Sequence, residues 1–167
     1  MVEITRLPEE ARFSFRIAVG GVAAASKAFG VDLPTTIGGM AANGSRRALC
    51  LGPDEWQLDA AASERDAVVS AFAGIYADAP HSLVEVTDRE FTYQISGEQA
   101  EELLTVGVPR DMALVTVGSG TRTLFDTVPA ILVREADNRF TLSVWRSFAP
   151  HAEELLHIAN KEFAAGL

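Results

Sequence analysis

The sequence is short of several residue types, and each shortage excludes a class of protein. Its 167 residues include one cysteine, so an internal disulfide is impossible, as suits a reducing compartment. There are 14 Lys and Arg against 23 Asp and Glu, and the net charge of −9 disfavours nucleic acids and anionic membrane surfaces as partners. The longest uncharged stretch, residues 33–45, has 13 residues, fewer than the roughly 17–25 that a membrane-spanning helix needs. Residues 1–6 include an acid and no apolar run, so we expect no secretory signal and a cytoplasmic location.

Motifs of a self-sufficient active site are also missing. The chain has no Gly-x-Ser-x-Gly elbow, no Cys-x-x-Cys or His-Glu-x-x-His zinc motif and no Gly-Lys-Ser/Thr phosphate loop. Cys50 lies between two leucines of a predicted strand, so a buried structural thiol is expected. Glu154 and His157 have the spacing of a di-iron ligand pair, but no second pair exists. The sequence therefore predicts no catalytic, cofactor or metal site in this chain, and a binding module or subunit rather than an enzyme acting alone.

Hydrophobic periodicity indicates an α+β fold. Residues 12–19 alternate between apolar and polar side chains, which predicts a half-buried strand, and residues 22–29 follow as an Ala-rich helix. Further helices and short hairpins interleave along the chain, and residues 35–45 are predicted to form a loop. The hairpin connections are too short for parallel crossovers. We therefore expect a mainly antiparallel sheet in split β-α-β (ferredoxin-like) halves. The predicted arrangement is a single domain, residues 1–167, built from halves at about 10–80 and 81–167 that share one sheet.

Three segments carry a resemblance to a known family. Residues 48–58 form a strand–turn–strand around Leu-Gly-Pro-Asp-Glu-Trp. Residues 84–104 combine Thr-Asp-Arg and Ile-Ser-Gly with a helix that follows. Residues 121–149 end on Arg-Ser-Phe-Ala at the last strand–helix junction. Together they resemble the gamma subunit of heterotetrameric sarcosine oxidase from about residue 11 onward. The second segment is more distantly similar to the folate-binding domain of the glycine-cleavage aminomethyltransferase family.

The resemblance implies a function that the motifs do not. Members of the family belong to a bacterial flavoenzyme that demethylates sarcosine to glycine with O₂, giving hydrogen peroxide and a one-carbon unit for tetrahydrofolate. It implies alpha, beta and delta subunits as partners, with FAD, FMN, NAD and zinc held by those partners and no cofactor in this chain. The chain is accordingly expected to be a non-catalytic assembly subunit, inactive in isolation.

Candidate interface residues come from the same segments. The set is Asp54, Glu55, Trp56, Arg89, Arg122, Arg146 and Phe148. Aromatic and arginine side chains are enriched at protein interfaces, and an arginine on a strand can bind a partner carboxylate through two hydrogen bonds. The alternative is structural: Trp56 alternates with Leu58 and could be a core residue, and arginines on strands are commonly solvated.

A second function remains open on the sequence alone. The wider aminomethyltransferase resemblance allows a stand-alone module that binds folate or a similar one-carbon carrier. Such a ligand carries a glutamate tail and needs a basic groove. The net charge of −9 counts against this function, although a local arginine pair would suffice.

Overall fold

The computed structural model describes residues 1–166. Their strands are β1 Glu3–Arg6, β2 Ala11–Ile17, β3 Met40–Asn43, β4 Arg46–Gly52, β5 Glu55–Ala60, β6 His81–Glu85, β7 Glu90–Ser96, β8 Ser119–Phe125, β9 Val128–Ala136 and β10 Arg139–Trp145. Their helices are α1 Val22–Phe29, α2 Arg65–Ile75, α3 Ala100–Leu104 and α4 Ala149–Ala165. The α+β class predicted from the sequence is confirmed, with antiparallel pairing throughout.

The chain forms two compact units. The N-terminal unit comprises residues 9–87, and the C-terminal unit combines residues 1–8 with the chain from residue 88 onward. Each unit has its own five-stranded sheet, in the order β3-β4-β5-β2-β6 in the first and β1-β7-β10-β9-β8 in the second. The expectation of one shared sheet is therefore wrong, because alternation within strands does not reveal which strands pair.

The two sheets repeat one strand arrangement. In the N-terminal unit, β2, β4, β5 and β6 with helices α1 and α2 follow the split β-α-β order, with β2 beside β5 at the centre. In the C-terminal unit, β7 and β10 take the same central places. The edge position that β6 holds in the first sheet is held in the second by β1, which comes from the chain's start. The C-terminal sheet is thus completed by a strand far away in sequence.

Strand β2 shows how the aromatic core of the N-terminal unit is packed. Phe13, Phe15 and Ile17 are buried, as their alternation predicts. Phe15 lies 4.8 Å from Phe72 of α2 and 6.1 Å from Trp56 of β5, measured between ring centroids. Tilted aromatic contacts of this kind add to the free energy gained from burial.

One predicted loop contains a strand. Residues 40–43 form β3, which pairs with β4 through the turn at Gly44. Gly44 has a φ of +61°, a conformation that glycine adopts without strain. The prediction of a loop over residues 35–45 is wrong at β3, since this short edge strand is held by its hydrogen bonds to β4 rather than by an alternating pattern.

We expect Phe15→Ala to lower the free energy of unfolding by about 3–5 kcal/mol, because it opens a cavity among rings that are almost fully buried. Urea denaturation of the purified chain measures the change. Val84→Ala, at an exposed position of the neighbouring strand, is the control and should change stability by less than about 0.5 kcal/mol. Equal losses in both variants would contradict the packing described here.

Candidate subunit interface

The two candidate carboxylates lie where β4 turns into β5, and both are already paired within the chain. Arg16 of β2 approaches Asp54 at 3.4 Å and Glu55 at 2.9 Å. The Asp54 side chain is half exposed, whereas the Glu55 side chain is largely covered. Asp54 therefore remains reachable from outside, but its charge is partly neutralised by Arg16.

Trp56 is a core residue. It is 1% exposed, packs against Phe15, and donates its indole N–H to the carbonyl oxygen of Pro34 at 2.7 Å. A side chain that is buried and hydrogen-bonded in the chain by itself has no surface to offer a partner. The structural alternative for Trp56 is therefore the right one, and its place among the interface residues is corrected.

The remaining four candidates lie around one region of the C-terminal unit. Arg89 and Arg122 line a cavity of about 260 Å³, together with Glu90, Ser143 and Trp145. The backbone N–H of Arg146 donates to the carbonyl oxygen of Arg89 at 2.8 Å, which places those two arginines side by side. We call Arg89, Arg122, Trp145, Arg146 and Phe148 the Trp145 surface.

Aromatic stacking organises the Trp145 surface. The rings of Trp145 and Phe148 are stacked with centroids 6.1 Å apart, and both side chains are more than one-third exposed. Arg146 places its guanidinium 4.4 Å from the centroid of Phe91, and Arg6 lies over the same ring at 4.6 Å. Cation–π contacts hold flexible arginine side chains in place, so these side chains lose less conformational entropy when they later bind a partner.

Sequence reasoning missed Trp145 as a surface residue. The signal was present in β10, where Trp145 lies on the face opposite to the core residues Phe140, Leu142 and Val144. Trp145 and its arginine neighbours provide hydrogen-bond donors and an aromatic face but no nucleophile. Cys50 is buried, as expected, and burial raises the pKa of its thiol, so it is a poor nucleophile too. The Trp145 surface has the donors and the aromatic face that are typical of recognition sites.

A buried ionic cluster was also missed. Asp59 of β5 accepts from Arg12 Nε at 2.8 Å, from Gln57 Nε2 at 3.0 Å and from Arg47 at 3.3 Å. Burial by itself raises the pKa of Asp59, but the two guanidinium groups and the Gln57 amide outweigh it and hold the pKa below its usual value. The cluster joins β2, β4 and β5 across the polar face of the sheet, so its role is structural.

Two classes of site have no candidate in the part of the chain that the structure describes. Residues 1–166 contain no group of three or more His, Cys, Asp or Glu placed to hold a metal ion. The same residues include no helix long and apolar enough to cross a membrane.

Comparison with solved structures first defines the class of fold. The chain is similar to the glycine cleavage system aminomethyltransferase T from Bartonella henselae, with a TM-score of 0.74 at 14% identity, over 93% of this chain and 45% of that one. The regulatory subunit of aspartate kinase from Thermus thermophilus shares the fold more loosely, with a TM-score of 0.51 at 13% identity, over 93% of this chain and 95% of that one. No curated protein matches the sequence significantly.

A more specific likeness is to the heterotetrameric sarcosine oxidase from Corynebacterium sp. U-96, solved in complex with pyrrole 2-carboxylate. One of its chains matches with a TM-score of 0.89 at 26% identity, over 97% of this chain and 85% of that one. The sarcosine oxidase gamma subunit family model matches residues 17–162. The chain belongs to this family, and the resemblance recognised in the sequence is confirmed.

We expect Asp59→Ala to lower the free energy of unfolding at pH 7 by about 3–5 kcal/mol, because it removes the buried carboxylate that two guanidinium groups contact. Asp59 has a lowered pKa in the folded state, so its contribution is present above its unfolded pKa of about 3.9 and is lost as pH falls through the folded value. Urea unfolding between pH 7 and acid pH should therefore show a shallower acid loss in the variant than in the wild type.

The control is Asp66→Ala, which removes an exposed carboxylate paired with Arg65. Its effect should stay below about 1 kcal/mol, as for other surface ion pairs. A loss at Asp59 no larger than at Asp66 would contradict the structural role of the cluster.

Proposed function

We propose that this chain is a non-catalytic assembly subunit, the gamma chain, of a heterotetrameric sarcosine oxidase. The observation that carries the proposal is the extent of the match: the family model spans residues 17–162, and a chain of a solved heterotetrameric sarcosine oxidase matches 97% of this chain. The finer assignment is that its partners are the alpha, beta and delta subunits of that enzyme.

The chemistry of the described residues supports a role outside catalysis. Arg146 lies over the ring of Phe91, Arg89 pairs with Glu90, and the thiol of Cys50 is buried. We assign FAD, FMN, NAD and zinc to the partner subunits, where the oxidation of sarcosine would take place. A stand-alone folate-binding function has only a likeness of fold in its favour, since the aminomethyltransferase is 14% identical.

The Trp145 surface is our candidate for the contact with a partner subunit. Tryptophan and arginine are the residue types that most often dominate binding energy at interfaces. A stacked pair of exposed rings offers a large apolar area with little side-chain freedom left to lose. The flanking guanidinium groups would bind carboxylates or carbonyl oxygens at the rim of such a contact.

Co-expression with the other three subunits of its own enzyme tests the proposed function. A tagged copy should recover a stoichiometric complex that contains flavin and produces peroxide from sarcosine. The tagged chain purified alone should show neither flavin absorbance nor activity, and omitting it should destabilise the complex. A chain that is recovered alone beside an active three-subunit enzyme would overturn the proposal.

Trp145→Ala should weaken assembly by about 30-fold or more in dissociation constant, which corresponds to a hot-spot loss of about 2 kcal/mol. Phe148→Ala should act in the same direction, because it removes the other ring of the stack. Titration of the tagged variant against the three-subunit remainder of the enzyme, followed by light scattering or interferometry, measures the effect.

Val106→Ala is the matched control, because Val106 is an apolar residue of the same unit and is 48% exposed, against 44% for Trp145. It should assemble like the wild type. Urea midpoints must agree among all three variants, so that a weaker complex reflects lost contacts. Unchanged affinity of Trp145→Ala would place the interface elsewhere on the chain.

A further inference from the structure

The outer edge of β6 carries backbone groups that face away from the sheet. In the pairing of β2 with β6, the N–H of Val86 donates to the carbonyl oxygen of Arg12 at 2.8 Å. On the other side of β2, the N–H of Ile17 donates to Asp54. Hydrogen bonding alternates along an antiparallel pair, so the even-numbered residues of β2 bond β6 and the odd-numbered ones bond β5.

The same alternation decides which groups of β6 remain open. Ser82 and Val84 lie opposite Arg16 and Ser14 and use their N–H and C=O groups on β2. His81, Leu83 and Glu85 therefore direct theirs to the opposite side. No strand among residues 1–166 pairs with that side, since β6 ends the order of its sheet. Three residues thus present a strand-shaped row of donors and acceptors.

An apolar groove of about 380 Å³ runs beside this edge. It is lined on one side by α2, through Val69, Phe72, Ala73 and Tyr76, and on the other by β6, through His81, Ser82 and Leu83. Ser82 lies on the opposite face of the sheet from its two neighbours, so a groove that touches all three opens at the edge of the strand. Val69 and Tyr76 are 42% and 56% exposed, which leaves apolar area uncovered.

Strand β6 also lacks several of the features that usually protect an edge. Such strands commonly contain lysine, proline or a bulge that prevents pairing with another chain. The sequence of β6 is His-Ser-Leu-Val-Glu, its register with β2 is regular, and its one acid, Glu85, is bound by Arg65 at 2.8 Å. The equivalent edge strand β1 carries Glu3 and Arg6 within four residues.

We propose that a partner subunit of the oxidase adds an extended segment to the outer edge of β6, with alternate apolar side chains entering the groove beside α2. The inference rests on the proposed function for the existence of partner subunits. Main-chain hydrogen bonds to His81, Leu83 and Glu85 would hold the segment, and the groove would select its side chains.

A second copy of this chain would fill the groove less well than a segment of a different chain. It would offer its own β6, but the side chain of His81 already contacts Phe15, Phe72 and Tyr76 of its own unit. Leu83 packs against the same core. These side chains are already packed in their own unit, so the β6 of a second copy would bring none of them into the groove. A segment from a different chain can bring apolar side chains that are free to enter it.

Hydrogen exchange on the co-expressed complex and on the isolated full chain tests the inference at single amides. In the isolated chain, the amides of Leu83 and Glu85 should exchange fast, and those of Ser82 and Val84 slowly, because only the latter are bonded to β2. In the complex, at a subunit concentration about 100 times the dissociation constant, exchange at Leu83 and Glu85 should slow by about 100-fold. Ser82 and Val84 are the internal controls.

Val69→Lys provides a second readout with a matched control. A lysine there would lose hydration when the groove fills, so affinity for the other subunits should fall by about tenfold or more. Ser70→Lys adds the same charge at the next residue of α2, which is exposed and does not line the groove, and should assemble like the wild type. Both positions are exposed in the isolated chain, so both variants should fold.

The outcomes separate this inference from the proposed function. A complex that forms with Leu83 and Glu85 still exchanging fast, or with Val69→Lys assembling normally, overturns the strand addition and leaves the subunit assignment standing. Slow exchange of these amides in the isolated chain also overturns it; if that slowing grows with concentration, the occupant is a second copy. Failure of the wild-type chain to enter any complex overturns both proposals.

Discussion

The alternating hydrogen bonding of β2 is the constraint on which the N-terminal unit depends. Its side chains divide into a buried row at Phe13, Phe15 and Ile17 and a polar row that includes Arg12 and Arg16. Its backbone hydrogen bonds alternate in the same way, with successive residues bonding to β5 and to β6. A shift of the β2 register by one residue would exchange the two rows of side chains and the two sets of hydrogen bonds together. The arginines would then be buried among aromatic rings. The core, the Asp59 cluster and the open edge of β6 are therefore consequences of one register.

Local patterns predicted most of the elements but not their assembly. The alternation at residues 12–19 and the Ala-rich run at residues 22–29 gave β2 and α1, because those signals lie within a few neighbouring residues. Strand β1 completes the C-terminal sheet beside β7, about 90 positions away in the sequence, so no local signal identifies its partner. The two-sheet arrangement was missed for the same reason. Periodicity and short connections predicted the α+β class, and the family resemblance agreed with it.

The two tryptophans show that the sequence alone did not predict which aromatic side chains are exposed. Trp56 and Trp145 both lie in strands with alternating patterns, yet one is 1% and the other 44% exposed. The face of Trp56 is covered by α1 and α2 and their aromatic side chains, whereas Trp145 shares its face with Ser143 and the cavity-lining arginines. A sequence pattern identifies two faces of a strand but does not say which face the helices cover.

Several arginines of this acidic protein stack on aromatic rings. Twelve of the 14 basic residues are arginine, and several lie over aromatic rings: Arg46 over Phe29, Arg134 over Phe140, and both Arg6 and Arg146 over Phe91. A planar, weakly hydrated guanidinium can stack on a ring and still donate hydrogen bonds at its edge, which an ammonium group cannot do. For an assembly subunit of the kind proposed, binding has to be specific as well as strong. Arginines already held on rings supply directional donors, and an open strand edge supplies a row of backbone groups whose spacing admits only an extended chain. Such features select a partner by geometry. They need no net positive charge on the subunit, which would also attract unrelated polyanions.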